Sequence, residues 1–257
     1  MSQANVYEQY MLELINAERK KVGSQPLAFD SNLNTAAERH SDWMIDNDIF
    51  SHTGVNGSNA GTRMKDAGYK FSGSWAWGEN IAWRSKSAPS GFQDELQKMH
   101  LSLMNSDGHR KNILNNNFKE IGVGVEDGIY KNFDAVFVTQ NFAKTASNPF
   151  LTGVSFDDAN GNLRYDVNEG LAGLTVSARN NSTGTVQTTQ TGQAGGYEME
   201  LAAGNYTVTF DSPEIEQEVF QVTIGSQNVK IDLVDPVADI PDIPDVPIVG
   251  CDGHLVV

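Results

Sequence analysis

The ten residues WAWGENIAWR (75–84) hold three of the chain's four tryptophans, and a single carboxylate, Glu79, sits among them. Burying an unpaired charge is expensive. Glu79 therefore calls for a partner, a cleft or a chemical task. Two histidines offer themselves. His52 lies in FSHT (50–53) and His109 in SDGHR (106–110), each just after a helical stretch and each read as a loop position, where binding residues concentrate. Two neutral imidazoles can hold a zinc-like divalent ion and leave positions open for water. Glu79 would then act as general base on that water. Without metal, Glu79 would orient His52 or His109, and that histidine would activate a hydroxyl such as Ser51 or Ser106. No HExxH or other compact ligand pair is present, so spacing leaves the plainer alternative open: loop histidines satisfied by backbone carbonyls. His100 shares an apolar face with Leu96 and Leu103 and reads as a packed histidine. His40 reads as a cap or brace for its helix.

A second constellation lies in FDDANGNLRYDVNEG (156–170). Counted from Asp158, side-chain oxygens fall at positions 1, 3, 5, 9 and 12: Asp158, Asn160, Asn162, Asp166 and Glu169. Arg164 at position 7 would add its backbone carbonyl, and Asp157 is a further donor. This is the oxygen spacing of a calcium loop closed by a bidentate glutamate. It is not an EF-hand, because Leu163 stands where that motif needs glycine and no flanking helices are evident. The competing reading is a solvated acidic turn, since Asn, Asp and Gly favour turns.

Positioning these groups requires elements. Tyr7, Tyr10, Met11, Leu14 and Ile15 recur at helical spacing, ended by Gly23 and Pro26. A second helix carries Leu33, Ala36, Ala37 and Trp43, with Ser31 as its expected N-cap. Residues 54–62 read as loop, and 92–105 as a third helix. Strand-like runs follow at 121–125 and 135–140. Helices first and paired strands later predict an α+β domain over residues 5–148. From Asn148-Pro149 the chain alternates Val, Thr and Tyr with polar residues at 174–178, 196–201, 205–210 and 219–224. That predicts a β-sandwich over 149–235. Residues 236–257 form a Pro/Asp-rich linker or tail, with four of the chain's eight prolines and its one cysteine, Cys251.

The charge follows the same division. Residues 1–148 carry 15 Lys+Arg and 17 Asp+Glu, and residues 149–257 carry 3 and 16. Neither half offers the strong basic surface that nucleic acid requires. One cysteine rules out a disulfide within the chain, though an exposed thiol could pair between chains. No run is apolar enough to span a bilayer, and no N-terminal signal peptide is visible. The expectation is a monomer that is exported without such a signal or has lost it.

The pieces LINAERKKVGSQPL, AAERHSDWM, FSHTG, GENIAW, SDGHRKNIL and EIGVGV occur in that order. Over about residues 5–145 the chain resembles the bacterial branch of the CAP superfamily (cysteine-rich secretory proteins, antigen 5, pathogenesis-related 1). The resemblance implies an α-β-α sandwich with a three-stranded antiparallel sheet, and a cleft holding His52, Glu79 and His109. Many members add a glutamate before the last histidine. The matching position here is Ser106, and the adjacent Asp107, where bacterial members commonly have proline, could supply the missing carboxylate. Leu103 stands where they commonly have tryptophan. Residues 150–234 resemble B-type repeats of bacterial surface adhesins and prealbumin-like carboxypeptidase regulatory domains, which implies a calcium-stabilised extracellular spacer or adhesion module. Lys230 is this module's only lysine, and no isopeptide crosslink is expected.

The resulting expectation is a secreted binding module whose ligand is a lipid, a peptide or a cell-surface component. The runner-up is a metal-dependent or serine-type hydrolase using His52, Glu79 and His109. A third reading is a structural surface protein with a vestigial cleft. Catalysis is left open, with binding favoured. Calcium is expected to stabilise 149–235 while leaving 1–148 largely unaffected.

Overall fold

The computed structural model describes residues 4–87, 91–213 and 215–235. The linker reading of 236–257, including Cys251, lies outside these residues.

Helix α1 (Val6–Lys21) starts at Asn5, whose side chain accepts from the Tyr7 and Glu8 amides while Glu8 accepts from the Asn5 amide. This reciprocal cap satisfies otherwise orphaned donors. Arg19, Lys20 and Lys21 in its last turn suit the negative end of the helix dipole. After the short strand β1 (Ala28–Phe29) comes α2 (Ser31–Asp46). Its N-cap is Asp30 and not Ser31: the Asp30 carboxylate accepts from the Asn32 and Leu33 amides. A 3-10 turn (Val55–Gly57) and helix α3 (Ala60–Asp66) occupy the stretch expected to be loop. Strand β2 (Ala76–Ser85) carries the tryptophan-rich segment. Helices α4 (Gln93–Met104) and α5 (Asp107–Ile113) follow, then strands β3 (Glu120–Tyr130) and β4 (Phe133–Lys144).

The first sheet has the order β1-β3-β4-β2. Three strands are antiparallel as expected, and the two residues of β1 add a parallel fourth on β3. Helices cover both faces. Met11 and Ile15 of α1, Leu96 of α4 and Ile113 of α5 pack with Val123, Val136 and Val138 on one side. Leu33 and Met44 of α2 and Met64 of α3 pack with Ala143, Ile81 and Phe137 on the other. Gly122 and Gly124 let α2 rest directly on β3: a Cβ at Gly122 would lie 2.0 Å from the Leu33 carbonyl carbon, and one at Gly124 2.2 Å from the Glu38 nitrogen.

The second module is a sandwich. One sheet runs β10 (Glu218–Ile224), β9 (Gly204–Asp211), β6 (Thr175–Asn180), β7 (Val186–Gln190). The other centres on β5 (Phe150–Asp157), with β8 (Gly196–Glu200) on one edge and β11 (Val229–Lys230) and β12 (Leu233–Asp235) on the other. Leu151, Val176, Tyr197, Val208 and Phe210 fill the space between them.

The two modules are not independent beads. Val154, Phe156 and Tyr165 belong to the same apolar cluster as α1 and α4. Burying side chains of this size stabilises by roughly 1.5–3 kcal/mol each. Polar contacts reinforce the junction. The Asn228 amide nitrogen donates to Pro26 O and Lys119 O at 2.9 and 2.7 Å, and Lys230 pairs with Glu13 at 2.8 Å. The stability of 149–235 is thereby coupled to that of 1–148.

Candidate functional site

Glu79 lies on β2 opposite Asn141 of β4, with its side chain toward α2 and α3. Alternation along the strand sends Trp77, Glu79, Ile81 and Trp83 to one face and Asn80 to the other. Glu79 is 8% exposed and has two partners. One carboxylate oxygen is 2.8 Å from His52 Nδ1, and the other accepts from Arg63 Nη2 at 2.5 Å. The aromatics do not simply underlie it. Trp75 and Trp77 are exposed, and Trp83 packs with Tyr130 and Phe137.

The loop carrying His52 is held from two sides. His40 Nε2 bonds the Ser51 carbonyl at 3.0 Å, so His40 braces this loop and not, as expected, its own helix. Arg63 Nη1 donates to the His52 and Ser58 carbonyls at 3.1 and 2.9 Å. One guanidinium thus fixes both the loop and the carboxylate. Burial lowers the His40 pKa to about 4, so its ring is neutral at neutral pH.

His109 was expected in a loop but sits within α5, where Ser106 is the N-cap residue. Two asparagines tie α5 to β2. Asn112 Nδ2 donates to Asn80 Oδ1 at 2.9 Å and to the Glu79 carbonyl at 3.3 Å, and Asn80 Nδ2 donates to the His109 carbonyl at 3.2 Å. Behind them, the fully buried Arg19 donates to the carbonyls of Gln25, Ile113, Asn115 and Phe118 and fixes the exit from α5. His109 Nδ1 pairs with Ser106 Oγ at 2.8 Å. Its pKa is lowered, first by burial and then by His52.

The structure holds these residues as two separate pairs, His52 with Glu79 and His109 with Ser106. His109 is not joined to Glu79 through a hydrogen bond, so no continuous serine–histidine–carboxylate line forms. Ser51 Oγ instead accepts from the Thr53 amide. Asp107 does not enter the cleft: its side chain is 93% exposed and pairs with Arg110. For zinc, His52, Glu79 and His109 do not bring three ligand atoms within 4.8 Å of one another, and no other group of three containing either histidine does so among the described residues, whereas catalytic zinc sites use three protein ligands.

In the loop 158–169, Asp158 accepts from the Asn162 and Leu163 amides at 3.0 and 2.9 Å. Asp166 accepts from the side chains of Asn160, Asn162 and Gln93 at 2.8, 2.7 and 2.6 Å. Glu169 accepts from the Asp166 amide, and Arg164 donates its amide to Asn162 Oδ1. Leu163 at φ 57° takes the left-handed turn usually given to glycine, and Gly161 at φ 71° takes another. The side chains here are hard oxygen donors of the kind calcium takes, but no three of the loop's carboxylates bring oxygens within 4.8 Å of one another. In a loaded loop, Asn160 and Asn162 would present oxygen where they now present nitrogen to Asp166.

Arg63, Asn80, Asn112 and Gln93 carry much of this geometry and were not singled out from the sequence. Arg63 lay in a helix of seven residues, too short for periodicity to reveal. Asn80 lies within GENIAW, where nothing in its spacing signals its tie to α5.

An α-β-α sandwich followed by a β-sandwich defines the class of protein. The chain belongs to the cysteine-rich secretory protein family, CAP, whose model matches residues 12–142, and a carboxypeptidase regulatory-like domain matches 160–234. Among curated relatives, it is 41% identical over 128 residues to the uncharacterized protein YkwD of Bacillus subtilis (strain 168), covering 49% of this chain and 46% of that one. It is 32% identical over 137 residues to the uncharacterized membrane protein YlbC of the same organism, covering 53% and 34%. The chain thus spans less than half the length of either relative. Among solved structures, an extracellular protein containing a SCP domain from Bacillus anthracis str. Ames is similar at 31% identity and TM-score 0.43, over 54% of this chain and 40% of that one. The CAP domain of enterococcal PrgA is similar at 18% identity and TM-score 0.38, over 55% and 60%. No helix among the described residues is long and apolar enough to cross a membrane.

Proposed function

We propose that the chain acts outside the cell as a binding module, with the cleft around His52, Glu79 and His109 as its ligand site and the β-sandwich as a calcium-stabilised spacer or adhesion unit. The observation that carries this reading is the division of the cleft into two pairs, His52–Glu79 and His109–Ser106. Each pair fixes one ring and leaves one imidazole nitrogen free. Glu79 holds His52 through Nδ1, which leaves Nε2 of a half-exposed ring open to a ligand. Such a surface suits ligands rich in hydroxyl groups or other polar hydrogen-bonding groups, including peptides, lipid headgroups and cell-surface glycans. Rigidly held polar groups at the edge of a fold are what orient a bound ligand. The test is capture of arrayed peptides, glycans and lipid vesicles by the full chain and by a His52→Ala/His109→Ala variant. Binding that falls at least tenfold in the variant is expected, and equal capture would sink the cleft as ligand site. No specific capture at all would favour a structural surface role.

A hydrolase remains the second reading because the buried, Arg63-held Glu79 orients His52 as a general base would be oriented. Turnover of ester or peptide substrates that persists in His52→Ala would overturn it. Zinc titration of the full chain beside the double variant separates the metal-dependent route from the serine route.

A further inference from the structure

Away from the cleft, three glutamates from three elements meet. Glu8 of α1, Glu38 of α2 and Glu126 of β3 place carboxylate oxygens within 4.8 Å of one another. The place is the edge of β3 beyond β1, which pairs only with Glu120 and Ile121. There Asn34 Oδ1 accepts from the Val123 amide at 3.2 Å, and Glu38 follows Asn34 one helical turn later on the same face of α2.

Carboxylates that crowd together without a cation repel, and no Lys or Arg forms a salt bridge with any of the three among the described residues. A second observation points to a ligand. Glu8 is 0% exposed, one of its oxygens caps α1, and the other, Oε1, is buried without a hydrogen-bond partner. A fully buried acceptor facing two further carboxylates is an incomplete coordination shell. Oxygens that share one calcium-like ion at about 2.3–2.6 Å lie no more than about 5 Å apart, which this spacing meets.

We propose that Glu8, Glu38 and Glu126 form a divalent-cation site that clamps α1 and α2 to the free edge of β3. The donor set is all carboxylate, so the ion is hard: calcium, manganese or magnesium, with water completing its shell. Glu38 and Glu126 are only partly buried and give the ion its entry path. Protons compete for the same oxygens. Burial, with Glu38 and Glu126 adding to it, raises Glu8 to about 8, and burial, with Asp42, Glu38 and Asp127, raises Glu126 to about 7. Binding near neutral pH therefore displaces protons.

The site is distinct from the loop at 158–169, and the experiment separates them. Manganese binding to the full chain is counted by electron paramagnetic resonance, and proton release is read by calorimetry in buffers of different ionisation enthalpy. An Asp166→Asn/Glu169→Gln variant, with the loop disabled, should still bind one ion and release protons. Adding Glu38→Gln/Glu126→Gln should weaken that ion at least tenfold. If the loop variant misfolds by circular dichroism, Glu126→Gln in the otherwise unchanged chain should lower the ion count by one. A loop-disabled chain that folds and binds no manganese overturns the proposal. So does an unchanged affinity or ion count in the glutamate variants, which would leave the three carboxyls sharing protons alone.

Discussion

Arg63 holds Glu79 at 2.5 Å in a pair whose side chains are 9% and 3% exposed. Removing one partner of such a pair leaves a charge buried and uncompensated, which costs about 3–5 kcal/mol. Arg63→Met should lower stability by that amount in urea denaturation and release His52 from its fixed orientation, so the cleft loses ligand affinity as well. The buried histidines set a pH limit. Burial takes His40 and His100 to about 4, and both His100 ring nitrogens lack partners. Between pH 4 and 6.5 the unfolded chain binds more protons at these rings than the folded one. Stability from this source is complete above pH 6.5 and is lost as pH falls toward 4. Each ring accounts for about 2 kcal/mol at pH 5. His100→Leu should therefore raise the melting temperature at pH 5 far more than at pH 7.5, and a pH-independent shift would contradict this.

Among the elements, the contact of α2 with β3 is the tightest. Gly122→Ala places a methyl against the backbone of Leu33 and Asn34, where nothing flexible can yield. A loss of about 3 kcal/mol or more is expected from thermal melts. Long periodic elements were legible in the sequence. α1, α2 and α4 were found because their apolar positions repeat over three turns or more, and β6, β8, β9 and β10 because they alternate. Glu79 with His52 and His109 was found through family motifs. β2 was not read as a strand, because glycine, glutamate and asparagine interrupt its apolar face. α3 was missed because an asparagine-capped helix of seven residues has the composition of a loop. With it went Arg63, the residue that organises the cleft. The loop placement of His109 failed for the same reason, since α5 is also seven residues long.

Across the whole molecule, the shared cluster of Val154, Phe156 and Tyr165 with α1 and α4 makes unfolding a joint event. Calorimetry should give one transition, moved upward together by millimolar calcium and downward by chelator. Two transitions, with only one moved by calcium, would contradict the junction described here. Gln93 is the link to examine, because it donates to Asp166 and accepts from the Val167 amide. Gln93→Ala should shrink the calcium-dependent shift of that single transition, or split it in two. The sequence displayed the boundary near residue 149 through composition and charge. It did not display the docking, because β5 was not among the strands read from alternation and nothing in Val154 or Phe156 points to a partner on α1.

That docking also bears on the order in which the protein comes into being. A chain emerging from its N-terminus usually completes its first domain before the next is made. Here α1 cannot close its apolar face until Tyr165 has appeared, and Glu13 waits for Lys230, more than two hundred residues behind it. The first module therefore finishes its packing only after Val154, Phe156, Tyr165 and Lys230 have been made, so its core and its neighbour's set together.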